Sequence, residues 1–200
     1  MFQIRIHGRG GQGVVTAAEL LSIAAFAEGR HAQAFPSFGS ERTGAPVVAF
    51  CRLDDRPIRL REPVLEPDAV IVQDATLLRP TQPGSGGSEV LSGLKPAGFL
   101  LVNTSVDLAE LGLAEVVARL PSGHAAAVPA TLLARTHVGR PVPNAVLLGA
   151  FAALTGLLSI DSVAAAIVER FRGPVGEGNV AAARAAYDHV MGLRSHAPAA

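Results

Sequence analysis

Several residue types are rare in this chain, and each shortage excludes a class of site. Its 200 residues include no tryptophan, one tyrosine and a single lysine, Lys95. Cys51 is the only cysteine, so this sequence can form no internal disulfide and cannot supply the four thiolates that an iron–sulfur cluster normally needs. The formal net charge is zero, which predicts no binding of nucleic acid through a broad basic surface.

Long apolar runs are also missing. No run approaches the roughly 20 residues of a membrane-spanning helix, and no basic segment precedes the first predicted strand as it would in a secretory signal. We therefore expect a cytoplasmic protein that does not enter a membrane. Hydrophobic residues still make up 49% of the sequence, which is enough for a core of alanine, valine and leucine. Cys51 lies in the apolar run "VVAFCRL" and is predicted to be a buried, small hydrophobic residue.

Predicted strands and helices alternate over the first 142 residues. Alternating or β-branched runs predict strands at residues 1–7, 31–35, 47–53, 68–74, 98–105 and 124–130, and helical spacing predicts helices at residues 14–29, 108–120 and 131–139. The turn "DDR" at 54–56 and the run "PIRL" at 57–60 predict a strand that returns along residues 47–53 as a β-hairpin. Strands with little alternation, such as "DAVIVQD", are typical of parallel sheets buried on both faces.

The pattern becomes helical after about Pro143. Helices are predicted at residues 144–156, 159–171 and 179–193. Asn144 is expected to start the first of them, while Ser159 and Asn179 are the predicted N-caps of the second and third. Strands that alternate with helices predict an α/β fold: a Rossmann-like, open, mostly parallel sheet flanked by helices, with a β-hairpin insertion and a C-terminal helical segment.

One domain accounts for nearly the whole chain in this interpretation. Residues 1–195 form it, with an α/β part at 1–142 and a helical part at 143–195. Residues 196–200 are predicted to form a tail. No internal repeat divides the sequence further.

A glycine-rich loop, "IHGRGGQG" at residues 6–13, is the main candidate for a binding site. Gly8, Gly10 and Gly13 satisfy the pattern G-x-G-x-x-G, with a predicted strand before it and a predicted helix after it. Glycines allow a close backbone approach, and the N-terminus of the following helix offers free N–H groups and a partial positive charge to an anion. Arg9 adds a side chain that can bind phosphate through two parallel hydrogen bonds. The loop therefore predicts a phosphate-binding site.

The type of phosphate ligand stays open on these residues alone. A dinucleotide site needs Asp or Glu about 20 residues after the loop, but residues 31–37 contain none, and Glu28 and Glu41 fall in a helix and in a loop. A Walker-type loop needs Lys-Ser or Lys-Thr after the glycines, and this sequence has neither there. A tight strand-to-helix turn that binds nothing is the structural alternative.

Other polar residues give no catalytic or metal-ligating set. His7 is interpreted as a hydrogen-bonded structural residue at the end of a strand, and His31 and His137 stand apart without metal spacing. Asp74 ends a buried strand, where it can either cap the next turn or face the cleft, and we favour the cap. The sequence contains no Ser/His/Asp arrangement or acid pair that we assign to catalysis.

Four segments together resemble a known family. They are "IHGRGGQGVVTAAELLSIAAFAEG" at 6–29, "AQAFPSFGSERTGAPVVAFCRL" at 32–53, "PIRLREPVLEPDAVIVQD" at 57–74 and "GRPVPNAVLLGAFAALTGL" at 139–157. They resemble the gamma subunit of 2-oxoacid:ferredoxin oxidoreductases of the pyruvate synthase type, over about 190 of the 200 residues. The pair "HGRGGQG" and "FPSFGSERTGAPV" is more specific than either motif alone.

The resemblance implies a role within a larger enzyme. Such an enzyme oxidatively decarboxylates a 2-oxoacid, here expected to be pyruvate, transfers the acyl group to coenzyme A and passes electrons to ferredoxin. Thiamine diphosphate with magnesium and the 4Fe–4S clusters belong to other subunits, so the implied partners are alpha, beta and delta subunits, the last ferredoxin-like. The equivalent subunit of an indolepyruvate or 2-oxoglutarate oxidoreductase is an alternative, as is a stand-alone Rossmann-like nucleotide-binding module.

The resemblance also implies which residues face the ligand. The first set is the glycine loop, and it comprises Gly8, Arg9, Gly10, Gly11, Gln12 and Gly13. The second set lies in the loop at residues 36–46 and comprises Ser37, Phe38, Gly39, Glu41, Arg42 and Thr43. The resemblance implies coenzyme A as the ligand, and its pyrophosphate and 3′-phosphate are compatible with a helix N-terminus. The second loop can alternatively order a contact with a partner subunit, and Arg42-Thr43 stands where many relatives have two basic residues.

Overall fold

The structure is a computed structural model that describes residues 1–37, 43–79 and 88–196. These residues form a six-stranded sheet with the strand order β2-β3-β1-β4-β5-β6. The strands are β1 (Phe2–Arg9), β2 (His31–Pro36), β3 (Pro46–Asp54), β4 (Ala69–Val72), β5 (Phe99–Asn103) and β6 (Ala125–Val128). The α-helices are α1 (Val14–Ala27), α2 (Ser88–Leu91), α3 (Ala114–Arg119), α4 (Ala130–Val138), α5 (Asn144–Thr155), α6 (Ile160–Arg170) and α7 (Pro174–His196), and a 3₁₀ helix spans Ala75–Leu78.

Strand pairing confirms the predicted α/β fold. β1, β4, β5 and β6 run parallel to one another, with Ile4 opposite Ala69 and Leu101 opposite Ala126. β3 pairs antiparallel with β1 and with β2, so the sheet is mostly parallel with an antiparallel edge. The carboxyl ends of the parallel strands all lie at one edge of the sheet, and the residues that follow these strands meet there.

The β-hairpin insertion consists of β2 and β3, not of β3 and a returning strand at residues 57–60. Residues 57–60 form no strand, so that prediction is wrong. Both edges of β3 are already paired, with β1 on one side and β2 on the other, and Pro57 has no N–H to donate to a strand ladder. The segment instead crosses the sheet, where Nη1 of Arg52 donates to the carbonyl oxygen of Leu60 at 3.4 Å.

Helices α1, α5 and α7 pack on one face of the sheet, and α4 and α6 pack against these helices to complete the larger core. α5 lies at its centre, with every residue from Asn144 to Leu154 buried. Gly149 allows α7 to approach closely, because a Cβ at this position would lie 1.9 Å from the carbonyl oxygen of Ala183. On the opposite face, a smaller core packs β4 and β5 against α2 and α3.

Two predicted helices have different limits in the structure. The helix expected at residues 108–120 is shortened to α3, because turns precede it and Gly112 adopts a φ of 76° there. α7 begins at Pro174, where the missing N–H of proline costs nothing. Asn179 therefore lies inside α7, where its Nδ2 donates to the carbonyl oxygen of Val175 at 2.8 Å, and the prediction that it caps a helix is wrong.

Other local predictions are confirmed. The N–H of Ser162 donates to Oγ of Ser159 at 3.1 Å, so Ser159 caps α6. Asn144 is the first residue of α5. Cys51 is fully buried on β3, and burial raises the pKa of its thiol to about 12. α7 extends to His196, and residues 197–200 of the predicted tail lie outside the described residues.

Candidate functional site

The glycine loop joins the end of β1 to the start of α1. Gly11 and Gly13 have φ values of 93° and 70°, which lie in the left-handed region that favours glycine. At Gly8, an added Cβ would lie 2.6 Å from Cγ2 of Val14, so this glycine allows the helix to pack closely on the strand. Around Gly11, in contrast, a Cβ would meet no atom of the described residues within 4 Å, so these residues leave space at the tip of the loop.

Gln12 closes the loop from inside. Its backbone N–H donates to the carbonyl oxygen of Arg9 at 3.0 Å, and its Oε1 accepts from the N–H of Arg9 at 2.8 Å. Its Nε2 donates to Oδ2 of Asp74 at 3.1 Å. The side chain therefore fixes the loop to itself and to the residue that follows the neighbouring strand β4.

Arg9 is held by three groups around the loop. Nε donates to Oδ2 of Asp74 at 3.1 Å, and Nη2 donates to Oγ1 of Thr76 at 2.8 Å. Nη1 donates to the carbonyl oxygen of Gly44 at 3.1 Å. A guanidinium carries five N–H groups, so these bonds leave part of its donor capacity for a ligand, and 34% of the side chain is exposed.

Asp74 is both the predicted cap and a residue of the loop. Its Oδ1 accepts from the backbone N–H of Thr76 at 3.0 Å and from Oγ1 of Thr76 at 2.6 Å, which caps the 3₁₀ helix. Burial opposes ionisation, but the hydrogen bonds from Thr76 and Gln12 and the charge of Arg9 outweigh it and lower the pKa of Asp74. The sequence favoured the cap over a position facing the cleft, and the cap is confirmed.

The second predicted loop meets the glycine loop through its C-terminal end, and its N-terminal end is bonded to β3. Ser37 donates its N–H to the carbonyl oxygen of Val48 at 2.8 Å. Thr43 forms an isolated parallel bridge with Gly10. Gly44 donates its N–H to the carbonyl oxygen of Gly10 at 3.1 Å. Four further predicted site residues lie outside the described residues; these are Phe38, Gly39, Glu41 and Arg42.

Buried amides beneath the loop were not predicted as site residues. Gln73 is 1% exposed, and neither polar atom of its side chain finds a hydrogen-bond partner among the described residues. Nδ2 of Asn103 donates to the carbonyl oxygen of Gln73 at 2.8 Å, and Asn144 packs so closely that a Cβ at Gly13 would lie 2.4 Å from its Nδ2. Polar residues that directly follow buried strands, as Gln73 does, are the sequence signal that could have indicated them.

Histidine plays a structural role at this site. Nε2 of His7 accepts a hydrogen bond from Nε of Arg5 at 2.9 Å, which confirms the structural interpretation. Burial, with the charge of Arg5 as a second cause, lowers the pKa of His7 to about 3, so the ring is neutral at physiological pH. His31 and His137 are exposed on β2 and α4. The described part of the chain contains neither a helix long and apolar enough to cross a bilayer nor a group of three or more His, Cys, Asp and Glu that could hold a metal ion.

Comparison with known proteins identifies the family. A sequence profile described as pyruvate ferredoxin/flavodoxin oxidoreductase matches residues 3–189. The chain belongs to the pyruvate ferredoxin/flavodoxin oxidoreductase family. Within this family its similarity is to gamma subunits, which confirms the resemblance expected from the sequence and makes the chain a subunit of an oxidoreductase.

The similarity to gamma subunits of the pyruvate ferredoxin/flavodoxin oxidoreductase family spans nearly the full length of each chain. The sequence is 48% identical over 194 residues, which are 97% of this chain and 98% of the relative, to pyruvate synthase subunit PorC of Methanothermobacter thermautotrophicus. It is 47% identical over 193 residues, 96% of this chain and 98% of the relative, to the pyruvate/ketoisovalerate oxidoreductases common subunit gamma of Thermococcus kodakarensis. The crystal structure of pyruvate oxidoreductase subunit PORC from Thermotoga maritima matches with a TM-score of 0.76 at 35% identity, and the match covers 94% of this chain and 95% of that one.

Proposed function

We propose that this chain is the gamma subunit of an enzyme that oxidatively decarboxylates pyruvate to acetyl-coenzyme A with ferredoxin as the electron acceptor. The observation that carries the proposal is the match to pyruvate synthase subunits over 97% of this chain and 98% of the relative. The other subunits, alpha, beta and the ferredoxin-like delta, hold thiamine diphosphate with magnesium and the 4Fe–4S clusters. Those groups supply the decarboxylation and the electron transfer. The single, buried cysteine of this chain supports that division of roles.

The 2-oxoacid is selected by the partner subunits in this proposal. The relative from Thermococcus kodakarensis is named as a common subunit of pyruvate and ketoisovalerate oxidoreductases, which supports a gamma subunit that serves more than one 2-oxoacid. A 2-oxoglutarate or indolepyruvate enzyme would then differ from a pyruvate enzyme in its other chains. The proposed location of the complex is the cytoplasm, whose reducing conditions keep a free thiol such as that of Cys51 reduced.

The glycine loop of this chain contributes to the binding of coenzyme A through its phosphate groups. No side chain of the described residues caps the N-terminus of α1, so the first-turn N–H groups are available to an anion. Among residues 1–37, 43–79 and 88–196, nothing lies within 4 Å of where a Cβ of Gly11 would be, which supports room for a phosphate beside the backbone. Arg9 lies next to the same loop with a partly exposed guanidinium. A neutral loop-closing residue, Gln12, adds no negative charge that would repel the ligand.

The second loop extends this binding site in the proposal. The N–H of Gly44 donates to the carbonyl oxygen of Gly10, and the N–H of Gly10 donates to the carbonyl oxygen of Ala45, so the end of this loop is joined to the glycine loop. In this proposal the loop contacts either coenzyme A or a partner subunit through Ser37, Phe38, Gly39, Glu41, Arg42 and Thr43. Both roles require that the two loops keep their relative position, which the backbone bonds provide.

Reconstitution of the complex with a charged variant of the glycine loop tests this proposal. The chain alone is expected to be inactive and to restore activity when it is added to the other subunits. Gly11→Asp places a carboxylate beside the phosphate site and is expected to raise KM for coenzyme A by about tenfold or more, equivalent to about 1.4 kcal/mol. Steady-state kinetics of the assembled enzyme measure this change.

Gly123→Asp is the matched control for that variant. Gly123 has a φ of 76° and, like Gly11, no described residue within 4 Å of where its Cβ would be, but it lies before β6, at the amino ends of the parallel strands. Its substitution introduces the same backbone strain and the same charge and is expected to leave KM unchanged. An unchanged KM for coenzyme A in both variants, with intact assembly, contradicts the role of the glycine loop.

A further inference from the structure

We propose that Asp74 is a positioning residue for coenzyme A: it holds Arg9 and Gln12 so that the glycine loop presents donors to a phosphate group. The inference rests on the proposed function of the loop and assigns a part of that function to a residue outside it. Asp74 itself does not contact the ligand in this proposal. Its carboxylate acts through the side chains that it binds.

The carboxylate of Asp74 uses both oxygens to join three side chains. Oδ2 accepts from Nε of Arg9 at 3.1 Å and from Nε2 of Gln12 at 3.1 Å. Oδ1 accepts from the backbone N–H of Thr76 at 3.0 Å and from its Oγ1 at 2.6 Å. Thr76 in turn accepts from Nη2 of Arg9 at 2.8 Å. The result is a closed ring of hydrogen bonds through Arg9, Asp74 and Thr76.

The backbone keeps this ring at a fixed distance from the glycine loop. Asp74 follows β4, which pairs directly with β1, and the N–H of Gln73 donates to the carbonyl oxygen of His7 at 2.7 Å. Arg9 and Asp74 are therefore held at adjacent carboxyl ends of the sheet although 65 residues separate them in sequence. A phosphate that binds at the loop meets a guanidinium whose rotamer is already fixed, which reduces the entropy lost on binding.

The negative charge of Asp74 is required for this arrangement. In an Asp74→Asn variant, Oδ1 of asparagine could still accept from Thr76, but its Nδ2 would be a donor facing the donors of Arg9 and Gln12. Both side chains would lose their bond to residue 74, although Arg9 keeps its bonds to Thr76 and Gly44, so part of their ordering would have to occur when the ligand binds. Fixing one or two long side chains corresponds to a loss of affinity of about tenfold.

Asp68 provides a matched control on the same strand. It lies at the amino end of β4, accepts from Nζ of Lys95 at 2.8 Å and from the N–H of Gln3 at 2.8 Å. Its side chain is 20% exposed, against 17% for Asp74. Asp68→Asn therefore removes a comparable ion pair from the opposite edge of the sheet, away from the glycine loop.

The experiment compares these variants in the assembled enzyme. Asp74→Asn is expected to raise KM for coenzyme A about tenfold, while kcat and KM for the 2-oxoacid change by less than about twofold. Asp68→Asn is expected to leave all three parameters unchanged. Thr76→Val removes the hydroxyl that binds Arg9 while keeping the shape of the side chain, and is expected to raise KM for coenzyme A about threefold. Thr76→Ser retains a hydroxyl, and its KM for coenzyme A is expected to equal that of the unsubstituted enzyme.

Each other outcome overturns the inference. An unchanged KM for coenzyme A in Asp74→Asn, with the expected rise in Gly11→Asp, refutes the role of Asp74 and leaves the proposed function of the loop intact. No change in either variant refutes both. A lower KM in Asp74→Asn shows instead that the carboxylate competes with the ligand for Arg9. A similar change in KM for coenzyme A and for the 2-oxoacid shows a structural role only.

The threonine variants decide the question if Asp74→Asn does not assemble. They leave the carboxylate and its bond to Gln12 in place, so assembly of the complex is expected in both. A KM for coenzyme A that rises in Thr76→Val and returns in Thr76→Ser supports the inference. Equal KM values in the two variants overturn it.

Discussion

The two faces of the sheet are closed in different ways. On one face, α1, α5, α6 and α7 pack an apolar core of mostly alanine, valine and leucine. Arg5 of β1 and Arg52 of β3 lie on the other face of the sheet, away from this core, and both arginines are buried. A strap formed by residues 57–66 crosses this face and meets the arginines through its carbonyl oxygens.

The bonds of Arg52 explain how the strap is held. Nε donates to Oε1 of Gln3 at 3.1 Å, and Nη1 donates to Oε1 of Gln33 at 3.2 Å. The carbonyl oxygens of Leu60 and Glu62 accept from Nη1 and Nη2. The helical face therefore depends on shape and the strap face on hydrogen-bond donors, and the two faces should respond to different substitutions.

The largest expected effect tests shape on the helical face. Gly149→Ala would place a Cβ 1.9 Å from the carbonyl oxygen of Ala183, so α5 and α7 must separate. We expect the free energy of unfolding to fall by about 3 kcal/mol, as measured by urea unfolding of the purified chain. Gly192→Ala is the control in α7, because its Cβ would meet no atom of the described part of the chain within 4 Å, and it should stabilise the chain by about 0.5–1 kcal/mol. An equal change in the free energy of unfolding in the two variants would contradict the role of close packing between α5 and α7.

The next effect tests donor geometry on the strap face. Arg52→Lys keeps the charge but loses the planar fork that reaches Gln3, Gln33 and the strap at once. We expect a loss of about 2 kcal/mol in the free energy of unfolding. Arg59→Lys, at an exposed position of the strap, should stay within about 0.5 kcal/mol. If both substitutions lower the free energy of unfolding equally, charge alone holds the strap, and the proposed difference between the two faces is wrong.

The smallest effect concerns the neutral histidine on the strap face. The pKa of His7 is lowered from 6.5 to about 3, by burial first and by the charge of Arg5 second. Between these values the unfolded chain binds a proton that the folded chain does not, so this contribution is complete above pH 6.5 and is lost as the pH falls toward 3. The loss is about 1 kcal/mol per pH unit.

His7→Gln should remove that dependence while keeping an acceptor for Nε of Arg5. Urea unfolding at pH 7.5 and pH 5.5 measures this dependence. Between the two pH values, the free energy of unfolding should fall by about 1 kcal/mol more in the unsubstituted chain than in the variant. Parallel pH profiles would mean that folding leaves the pKa of His7 unchanged.

The fold was predictable from local patterns where those patterns decide the structure. Apolar runs located β1, β3, β4 and β5, and the cap at Ser159 located α6. The pairing of β3 was not predictable in the same way. Residues 57–60 follow β3 at hairpin distance, but β1 and β2 already occupy both of its edges. Asn179 failed as a cap for a related reason, because α7 starts earlier, at Pro174.

The candidate site was predictable as a loop but not as a network. The glycines showed that β1 turns sharply into α1, and Asp74 was recognised as a cap. The contacts from Arg9 and Gln12 to Asp74 join residues 65 and 62 positions apart, and they depend on β1 lying beside β4. No local pattern contains that adjacency, so only the folded chain brings these side chains together.

The burial of Cys51 has a practical consequence for following the loop in the assembled enzyme. Its thiol is fully buried and its pKa is about 12, so almost no reactive thiolate is present at neutral pH. A cysteine introduced at an exposed position such as Arg79 would then be the one thiol of this chain that a maleimide dye modifies. A fluorescent reporter can thus be attached after the 3₁₀ helix that Asp74 caps, without replacing the native cysteine or the side chains that hold Arg9.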